Sequence, residues 1–218
     1  SHNMTAIQSL CRRCLLIEGG VTRMDGSSPT IVRHYLSQSR FAGTRNDVGE
    51  YDLTEHHNPY LANKVIIRSL SFQDTNGNPQ DMYLSGQGMS VVIAVSGMAG
   101  YRDAHIGVSF RSSLDQSIAS VNSSMIKPLV RHPREHDEKA ILTIPRLPLV
   151  PGTYSISVTV AQQGLGRLDH VEHAATFSVG ETDVYGTGYR LSSHFGLIYL
   201  DAEWRIEPHD PPEPVPTL

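Results

Sequence analysis

The sequence predicts an all-β fold, an immunoglobulin-like or jelly-roll antiparallel β-sandwich over residues 65–207, preceded by a short α/β segment. The first observation is that apolar and polar residues alternate with a period of two through about eight short segments. The second is that turn-forming Gly, Pro, Asn and Asp residues separate these segments. Short alternating strands between turns are typical of a sandwich, whereas a parallel sheet would require helices between its strands.

Residues 1–37 predict a strand pair followed by one helix. Residues 11–17 form an apolar run, and residues 21–24 can return as a second strand after the turn signal Gly19-Gly20. Ser28-Pro29 then starts a helix, because Ser is a favoured N-cap and Pro suits the first helical position. Four residues at helical spacing give this helix an apolar face: Ile31, Val32, Tyr35 and Leu36.

Residues 38–64 are predicted to be a linker, because they are polar, contain Gly and Pro, and show no period. The Pro-rich residues 208–218 are predicted to be an extended or disordered tail. Between the two, the alternation places strands at residues 65–72, 90–96, 105–111, 117–121, 139–144, 154–161, 173–179 and 196–206.

The composition excludes several classes of function. A net charge of −4 gives no basic footprint for nucleic acid. No window approaches the length of a membrane-spanning helix, and residues 1–10 lack the features of a signal peptide. Cys11 and Cys14 form a C-x-x-C, but no second ligand pair follows, so we expect two reduced thiols and no metal site.

No catalytic residue or cofactor is predicted. The chain has no G-x-S-x-G motif, and its carboxylates are scattered, although the sequence alone does not exclude a pair across a cleft. Residues 74–78 resemble the start of a calcium loop, but Pro79 and Ser85 stand where such a loop needs Gly and Glu, so a hairpin turn is expected. The charged cluster at residues 132–138 is interpreted as a solvated loop, with a ligand-contacting loop as the alternative.

The best candidate for a binding site is one face of the predicted sandwich. The strands at residues 105–111, 154–161 and 173–179 are expected to be neighbours in one sheet, with their apolar residues facing the core. The other face is rich in hydroxyl groups, which suit the many hydrogen bonds of a sugar, with an Arg or His for an acidic group. An ordinary solvated face remains the alternative. The candidate glycan-binding residues are His105, Ser109, Arg111, Ser155, Ser157, Thr159 and Thr176.

The first 36 residues resemble the last stretch of an ABC-transporter ATPase domain, beginning at its H-loop. The resemblance lies in Ser1-His2-Asn3-Met4, Leu15-Leu16-Ile17-Glu18-Gly19-Gly20, Asp25-Gly26-Ser27 and Ile31-Val32-Arg33-His34-Tyr35-Leu36. It implies that residues 1–37 are the C-terminal remnant of a nucleotide-binding domain and that His2 is its ATP-sensing switch histidine. The P-loop, signature motif and acidic strand of that family are absent, so no ATP hydrolysis is expected.

The rest of the chain resembles the C-terminal carbohydrate-binding domain of the O-antigen polysaccharide exporter ATPase of the Wzt type. The resemblance is carried by short pieces in order, including Ile67-Arg68-Ser69-Leu70-Ser71-Phe72, Ser85-Gly86-Gln87-Gly88, Ile144-Pro145-Arg146-Leu147-Pro148-Leu149, Pro151-Gly152-Thr153-Tyr154, Ala174-Ala175-Thr176-Phe177-Ser178-Val179 and Gly196-Leu197-Ile198-Tyr199-Leu200 with Trp204. It implies a non-catalytic module that binds the non-reducing end of a lipid-linked, often capped, O-polysaccharide.

The resemblance also implies a cellular location and protein partners. The module would be cytoplasmic, at the inner face of the bacterial inner membrane, and would act with a membrane-spanning transporter subunit. It would be a homodimer, and we expect residues 196–206 to form the subunit contact as a strand behind the Gly-containing hinge at residues 185–189. Two other functions remain open: a glycan-modifying enzyme, and a dimerisation module without a ligand.

Overall fold

The computed structural model describes residues 4–38, 43–101, 103–126 and 137–206. Its N-terminal part consists of helix α1 (Met4–Leu10), strands β1 (Arg13–Glu18) and β2 (Val21–Ser27), and helix α2 (Ser28–Gln38). The two strands pair as an antiparallel hairpin, so the predicted strand pair and helix are confirmed, while α1 was not predicted. His2, residues 132–136 of the charged cluster and the tail at residues 208–218 lie outside the described residues.

The rest of the described chain is a sandwich of two five-stranded sheets, which confirms the predicted fold class. Its elements are β3 (Thr44–Arg45), β4 (Glu50–Asp52), β5 (Ile67–Gln73), β6 (Met82–Leu84), β7 (Met89–Val95), β8 (Ala104–Ser112), β9 (Ser117–Asn122), α3 (Ser123–Ile126), β10 (Glu138–Ile144), β11 (Gly152–Gln162), β12 (Gly166–Gly180) and a 3₁₀ turn (Ser193–Phe195).

The first sheet has the strand order β10-β7-β5-β4-β3, and the second has the order β6-β12-β11-β8-β9. All neighbours are antiparallel except β6 and β12. Among the described residues, no helix combines the length and the apolar character that a bilayer span requires.

The core lies between the sheets and is formed by the alternating apolar residues. In β8 every second residue is buried, from Ala104 to Ser112, as the alternation predicted. Phe177 of β12 lies at the centre, and its ring contacts Phe72 of the first sheet at 5.3 Å between centroids and Tyr154 of β11 at 5.7 Å. Aromatic contacts of this geometry add to the free energy gained from burial.

Residues 43–64 differ from the predicted linker, and this is a correction. Strand β4 pairs with β5, with Glu50 opposite Ser71, and β3 extends the first sheet beyond it. Leu53 is fully buried in the core of the sandwich. Gly43 passes so close to Leu53 that a Cβ atom there would lie 2.8 Å from its side chain. Strands of two and three residues are too short to show a period of two, which is why the sequence pattern did not reveal them.

The predicted last strand, residues 196–206, is wrong for the single chain. These residues are all described and contain no strand; Ile198 makes one isolated bridge to Leu149. Residues 145–151, which lie beside this segment, cannot form a continuous ladder of backbone hydrogen bonds with it, because Pro145, Pro148 and Pro151 have no backbone N–H to donate. Strand β12 is, in contrast, longer than predicted and begins at Gly166 rather than at residue 173.

Asp169 of β12 is a fully buried carboxylate that joins the two sheets. One of its oxygens accepts hydrogen bonds from the backbone N–H groups of Ile66 and Ile67, at 2.8 and 2.9 Å. The other accepts from the His170 backbone N–H at 2.8 Å and lies 2.6 Å from Nε2 of His56. The carboxylate therefore fixes the start of β5, at the entry to the first sheet, against the second sheet.

His56 completes this buried pair as an imidazolium. Its Nδ1 lies 2.6 Å from the carbonyl oxygen of Leu53, which can only accept, while Nε2 faces the Asp169 carboxylate. Both contacts are hydrogen bonds only if both ring nitrogens carry protons. Burial opposes the charge, but the bonds to Asp169 and Leu53 outweigh it and raise the pKa of His56. Burial likewise opposes the charge of Asp169, but the bonds from His56, Ile67 and Ile66 lower its pKa.

We expect Asp169→Asn to lower the free energy of unfolding by about 3–5 kcal/mol, because it leaves a buried cation and three backbone donors without their anionic acceptor. Urea denaturation measures the change. Glu55→Gln, an exposed carboxylate next to His56 in the same loop, is the matched control and should have little effect. Equal stability of the two variants would contradict the assignment.

The pair also predicts how stability depends on pH. Because the pKa of His56 is raised in the folded protein, this group contributes to stability. The contribution is complete below the unfolded pKa of about 6.5 and is lost as the pH rises through the folded pKa. Because the pKa of Asp169 is lowered in the folded protein, this group also contributes to stability. Its contribution is present above the unfolded pKa of about 3.9 and is lost as the pH falls through the folded pKa. The stability lost in His56→Gln should therefore be largest between about pH 4 and pH 6.5, and should decrease as the pH rises through the raised folded pKa of His56. A constant difference between wild type and variant in urea titrations over that range would count against a charged pair.

Candidate functional site

The outer face of the second sheet is formed where β11 lies between β8 and β12. Ser155 lies opposite Arg111 on one side and opposite Thr176 on the other. Two residues further along β11, Ser157 lies opposite Ser109 of β8. The apolar residues between these positions point into the core. The structure thus places the seven candidate residues on one face: His105, Ser109, Arg111, Ser155, Ser157, Thr159 and Thr176.

A bulge in β12 changes how this face is exposed. The register against β11 shifts between Ile156 and Val158, and His173 adopts a left-handed backbone conformation with φ of 48°. Nδ1 of His173 lies 3.1 Å from the hydroxyl of Ser155, and its backbone N–H donates to the hydroxyl of Ser157 at 3.2 Å. Ser155 and Ser157 are therefore only 6% and 3% exposed. A ligand on this face would meet His173 before it met either hydroxyl.

Arg111 is already paired with a carboxylate. Its Nη1 donates to the side chain of Asp115 at 2.9 Å and to the Asp115 backbone carbonyl at 3.1 Å. The same carboxylate oxygen lies 3.5 Å from Nε2 of His173. Arg111 was expected to meet an acidic group of a ligand, but its charge is already balanced by Asp115. This end of the face is polar and close to electrically neutral.

The described part of the outer face has two hollows that matter for binding. The first is called the His173 hollow. It lies near the end of β8 and the start of β11. Helix α2 of the N-terminal part contributes one apolar side chain to its wall, Leu36. The polar residues around it are Ser112, Ser113, Asp115, Thr153, Ser155, His173 and Thr176.

The second, the Gly107 hollow, lies further along the same face beside the edge strand β9. Its wall includes Thr159, whose hydroxyl lies 2.8 Å from Nδ1 of His170. Burial, followed by the positive charge of Arg167, lowers the pKa of His170, so this imidazole is neutral near pH 7. The other residues that matter here are His105, Gly107, Ser109, Ser120, Asn122 and Met125.

The arrangement is suited to hydrogen bonding. Its groups are hydroxyls, an amide, imidazoles and one balanced ion pair, with an exposed thioether in Met125. In the described part of the chain, no group of three or more His, Cys, Asp or Glu side chains is placed to hold a metal ion. Cys11 and Cys14 are free thiols in the N-terminal part.

Sequence reasoning did not identify His173, His170, Asp115 or Asn122 as site residues. His170 faces outward before the β12 bulge and His173 lies within it, and alternation counted from residue 173 alone could not show that bulge. Asp115 lies in the β8–β9 turn and reaches the face through its contacts with Arg111 and His173. The only sequence signal was the turn itself, which brings residue 115 back beside residue 111.

Comparison with known proteins identifies the family. The family model described as Wzt C-terminal domain matches residues 56–190, more than half of the chain. The chain belongs to the Wzt C-terminal domain family. A crystal structure of the C-terminal domain of wzt has a TM-score of 0.56 and 12% identity, covering 79% of this chain and 99% of that chain. At this identity the likeness shows the fold alone. No curated protein matches the sequence.

Two further solved structures score lower. The PmoD soluble domain from a Methylocystis species has a TM-score of 0.31 and 9% identity, covering 54% of this chain and 93% of that chain. The CARDB domain of the PF1109 protein from Pyrococcus furiosus, in complex with di-metal ions, has a TM-score of 0.28 and 13% identity, covering 53% of this chain and 88% of that chain. Both TM-scores are too low to carry an argument about function.

Membership of the family supports a carbohydrate-binding role in O-antigen export at the family level. The Wzt C-terminal domain is a non-catalytic domain of an ABC-transporter subunit. The matched residues include β5 to β12, so they contain the buried Asp169 pair, the Gly107 hollow and the lining of the His173 hollow apart from Leu36.

Proposed function

We propose that this Wzt C-terminal domain binds the non-reducing end of a lipid-linked O-polysaccharide, capped or uncapped, on the outer face of its second sheet. The observation that carries the proposal is the family match over residues 56–190. The outer face supports the position of the site, because it combines two hollows with the hydrogen-bonding groups that a sugar requires.

The physical argument concerns the kind of bond that this face offers. Arg111 beside the His173 hollow is already paired with Asp115, so an anionic group gains little net attraction from its charge. Hydroxyl, amide and imidazole groups can each donate to or accept from sugar hydroxyls. His173 is held by its contacts with Ser155 and Ser157, so it is ordered before a ligand arrives. We therefore favour a glycan end recognised by shape and hydrogen bonds.

The setting of the domain is part of the proposal. Residues 1–37 would be the remnant of a nucleotide-binding domain, and His2 its switch histidine. The domain would act in the cytoplasm at the inner face of the bacterial inner membrane, as part of an ABC exporter with a membrane-spanning subunit. Recognition of the finished chain end would couple completion of the polysaccharide to its export.

Thr176→Tyr should weaken binding of the O-polysaccharide at least about tenfold, equivalent to about 1.4 kcal/mol, because the larger ring fills the His173 hollow. Isothermal titration calorimetry with the isolated polysaccharide of the bacterium that encodes the protein, with and without its terminal cap, measures the loss. Ser157→Tyr would be a poor test, since Ser157 is 3% exposed and the change would disturb the fold.

Ser71→Tyr is the matched control, because it places the same ring on the outer face of the first sheet. The site is misplaced if Thr176→Tyr binds as wild type does, or if both variants lose affinity equally. Turnover of the polysaccharide would indicate a glycan-modifying enzyme. Absence of binding by a well-folded wild-type protein would favour a dimerisation module.

We further propose a homodimer in which residues 196–206 contribute to the subunit contact. In the single chain Leu200, Trp204 and Ile206 are 67%, 95% and 92% exposed. Three large apolar side chains in one short segment are costly to leave in water. Tyr199 beside them is anchored in a small cluster with Val150 and Leu191, so the segment is tethered to its own sandwich while its apolar side chains remain available to a second copy.

Replacing Leu200 and Trp204 together with Ser should convert the dimer into a folded monomer, because the exposed side chains are removed while the Tyr199 cluster is kept. Light scattering measures the mass, and circular dichroism checks the fold. Tyr189→Ser, which removes another exposed aromatic outside the segment, is the control and should remain dimeric. An unchanged dimer in the double variant would refute this contact.

A further inference from the structure

We propose that the Gly107 hollow is a second sugar subsite, which binds a unit of the same glycan some distance from the unit held in the His173 hollow. This inference rests on the proposed function, since it concerns the length of glycan that the outer face binds. It makes the ligand an oligosaccharide stretch rather than a single terminal sugar.

Gly107 is the first observation. It lies in the interior of β8, where glycine weakens a strand because it adds flexibility and contributes no side chain. Its backbone has no left-handed conformation that would require glycine, and a Cβ atom there would meet its nearest neighbour, the Cβ of Asn122, at an ordinary 3.6 Å. Neither the backbone conformation nor the space around residue 107 requires glycine at this position. Its missing side chain does leave the floor of the hollow open, which is the usual consequence of glycine where a ligand approaches the backbone.

Asn122 supplies the second observation, an amide that is oriented in advance. Its Oδ1 accepts hydrogen bonds from the backbone N–H and hydroxyl of Ser124, at 3.1 and 2.6 Å, and from the backbone N–H of Met125 at 3.0 Å. These bonds fix the amide plane and leave the Nδ2 group without a hydrogen-bond partner in the described part of the chain. A fixed amide donor beside an open floor is the kind of polar group that orients a small ligand.

The walls of the hollow complete its chemistry. The side chain of His105 has no hydrogen-bond partner among the residues that the structure describes, so its ring can donate or accept. The side chain of Met125 is 74% exposed at the rim and offers an adaptable apolar surface to the C–H face of a sugar ring. Together with Asn122 these residues present both of the contact types that a pyranose needs.

The distance between the two hollows decides what spans them. Along β8, Arg111 beside the His173 hollow and Gly107 are four residues apart, roughly 14 Å at the usual rise of a strand. This is longer than one sugar ring, so a single terminal unit cannot occupy both hollows. The two hollows are joined by a polar strip that begins in the wall of the Gly107 hollow, where the hydroxyls of Ser109 and Ser120 lie 2.8 Å from each other. A chain of several sugar units can follow this strip from one hollow to the other.

The test measures affinity against glycan length. The probes are non-reducing-end fragments of graded length, from a monosaccharide to a tetrasaccharide and longer, prepared by partial hydrolysis of the O-polysaccharide of the bacterium that encodes the protein. For the wild type we expect the affinity to rise at least tenfold from the shortest to the longer fragments. Gly107→Val should abolish this gain, because its side chain fills the hollow, while the affinity for the monosaccharide stays as in the wild type.

Ser71→Val, the same kind of change on the outer face of the first sheet, should keep the full gain with length. His105→Leu provides a second variant that leaves the floor intact and should reduce the gain without affecting the monosaccharide. The subsite is overturned, with the proposed function intact, if wild type binds all fragments equally or if Gly107→Val keeps the gain. If a folded wild-type protein binds neither the fragments nor the intact polysaccharide, the proposed function fails as well.

Discussion

The buried carboxylate of Asp169 is the interaction on which the arrangement of the sandwich depends. An unpaired charge in the core would be costly, and this one is tolerated because His56 and three backbone N–H groups occupy its oxygens. The bonds that remove the cost also define the structure, since they fix the entry to β5 against β12 and hold the loop around His56 on the sandwich. A polar group in the core thus provides registration that apolar packing alone, being non-directional, does not supply.

The same strand carries this core interaction and the candidate site. Asp169 points into the sandwich, and the next residue, His170, faces outward beside Thr159. Three residues later the strand bulges, and His173 takes a left-handed conformation that a non-glycine residue rarely adopts. Such strain persists only where the surroundings enforce it, and here the contacts with Ser155 and Ser157 do so. Anchored by Asp169, β12 can hold this bulge in place, and the bulge shapes the His173 hollow.

The sequence predicts those parts of the fold in which local pattern and tertiary environment agree. In β8 and β11 the alternation identified both the core side and the polar side, because each strand is long and has water on one face. The alternation failed for β3 and β4, because strands of two and three residues are too short to show a period of two. It also failed for residues 196–206, whose apolar content is typical of a strand. The segment next to them is interrupted by prolines and forms only an isolated bridge. It placed Ser155 and Ser157 on the correct face but could not show that a bulge in the next strand, β12, would cover them.

Charge balance on the outer face limits how any ligand can be selected there. Arg111 is paired with Asp115, His170 is neutral near pH 7, and the remaining groups are hydroxyls, an amide and the imidazoles of His105 and His173. Such a face exerts little long-range attraction, so it neither collects anions nor repels a neutral chain, and its hydrogen bonds act only on contact. Selectivity must then come from the cost of leaving a buried donor or acceptor unpaired when the wrong sugar is bound. That cost is greatest at groups already held in one orientation, such as Asn122 and His173, so discrimination between glycans should be concentrated at the two hollows rather than on the strip between them.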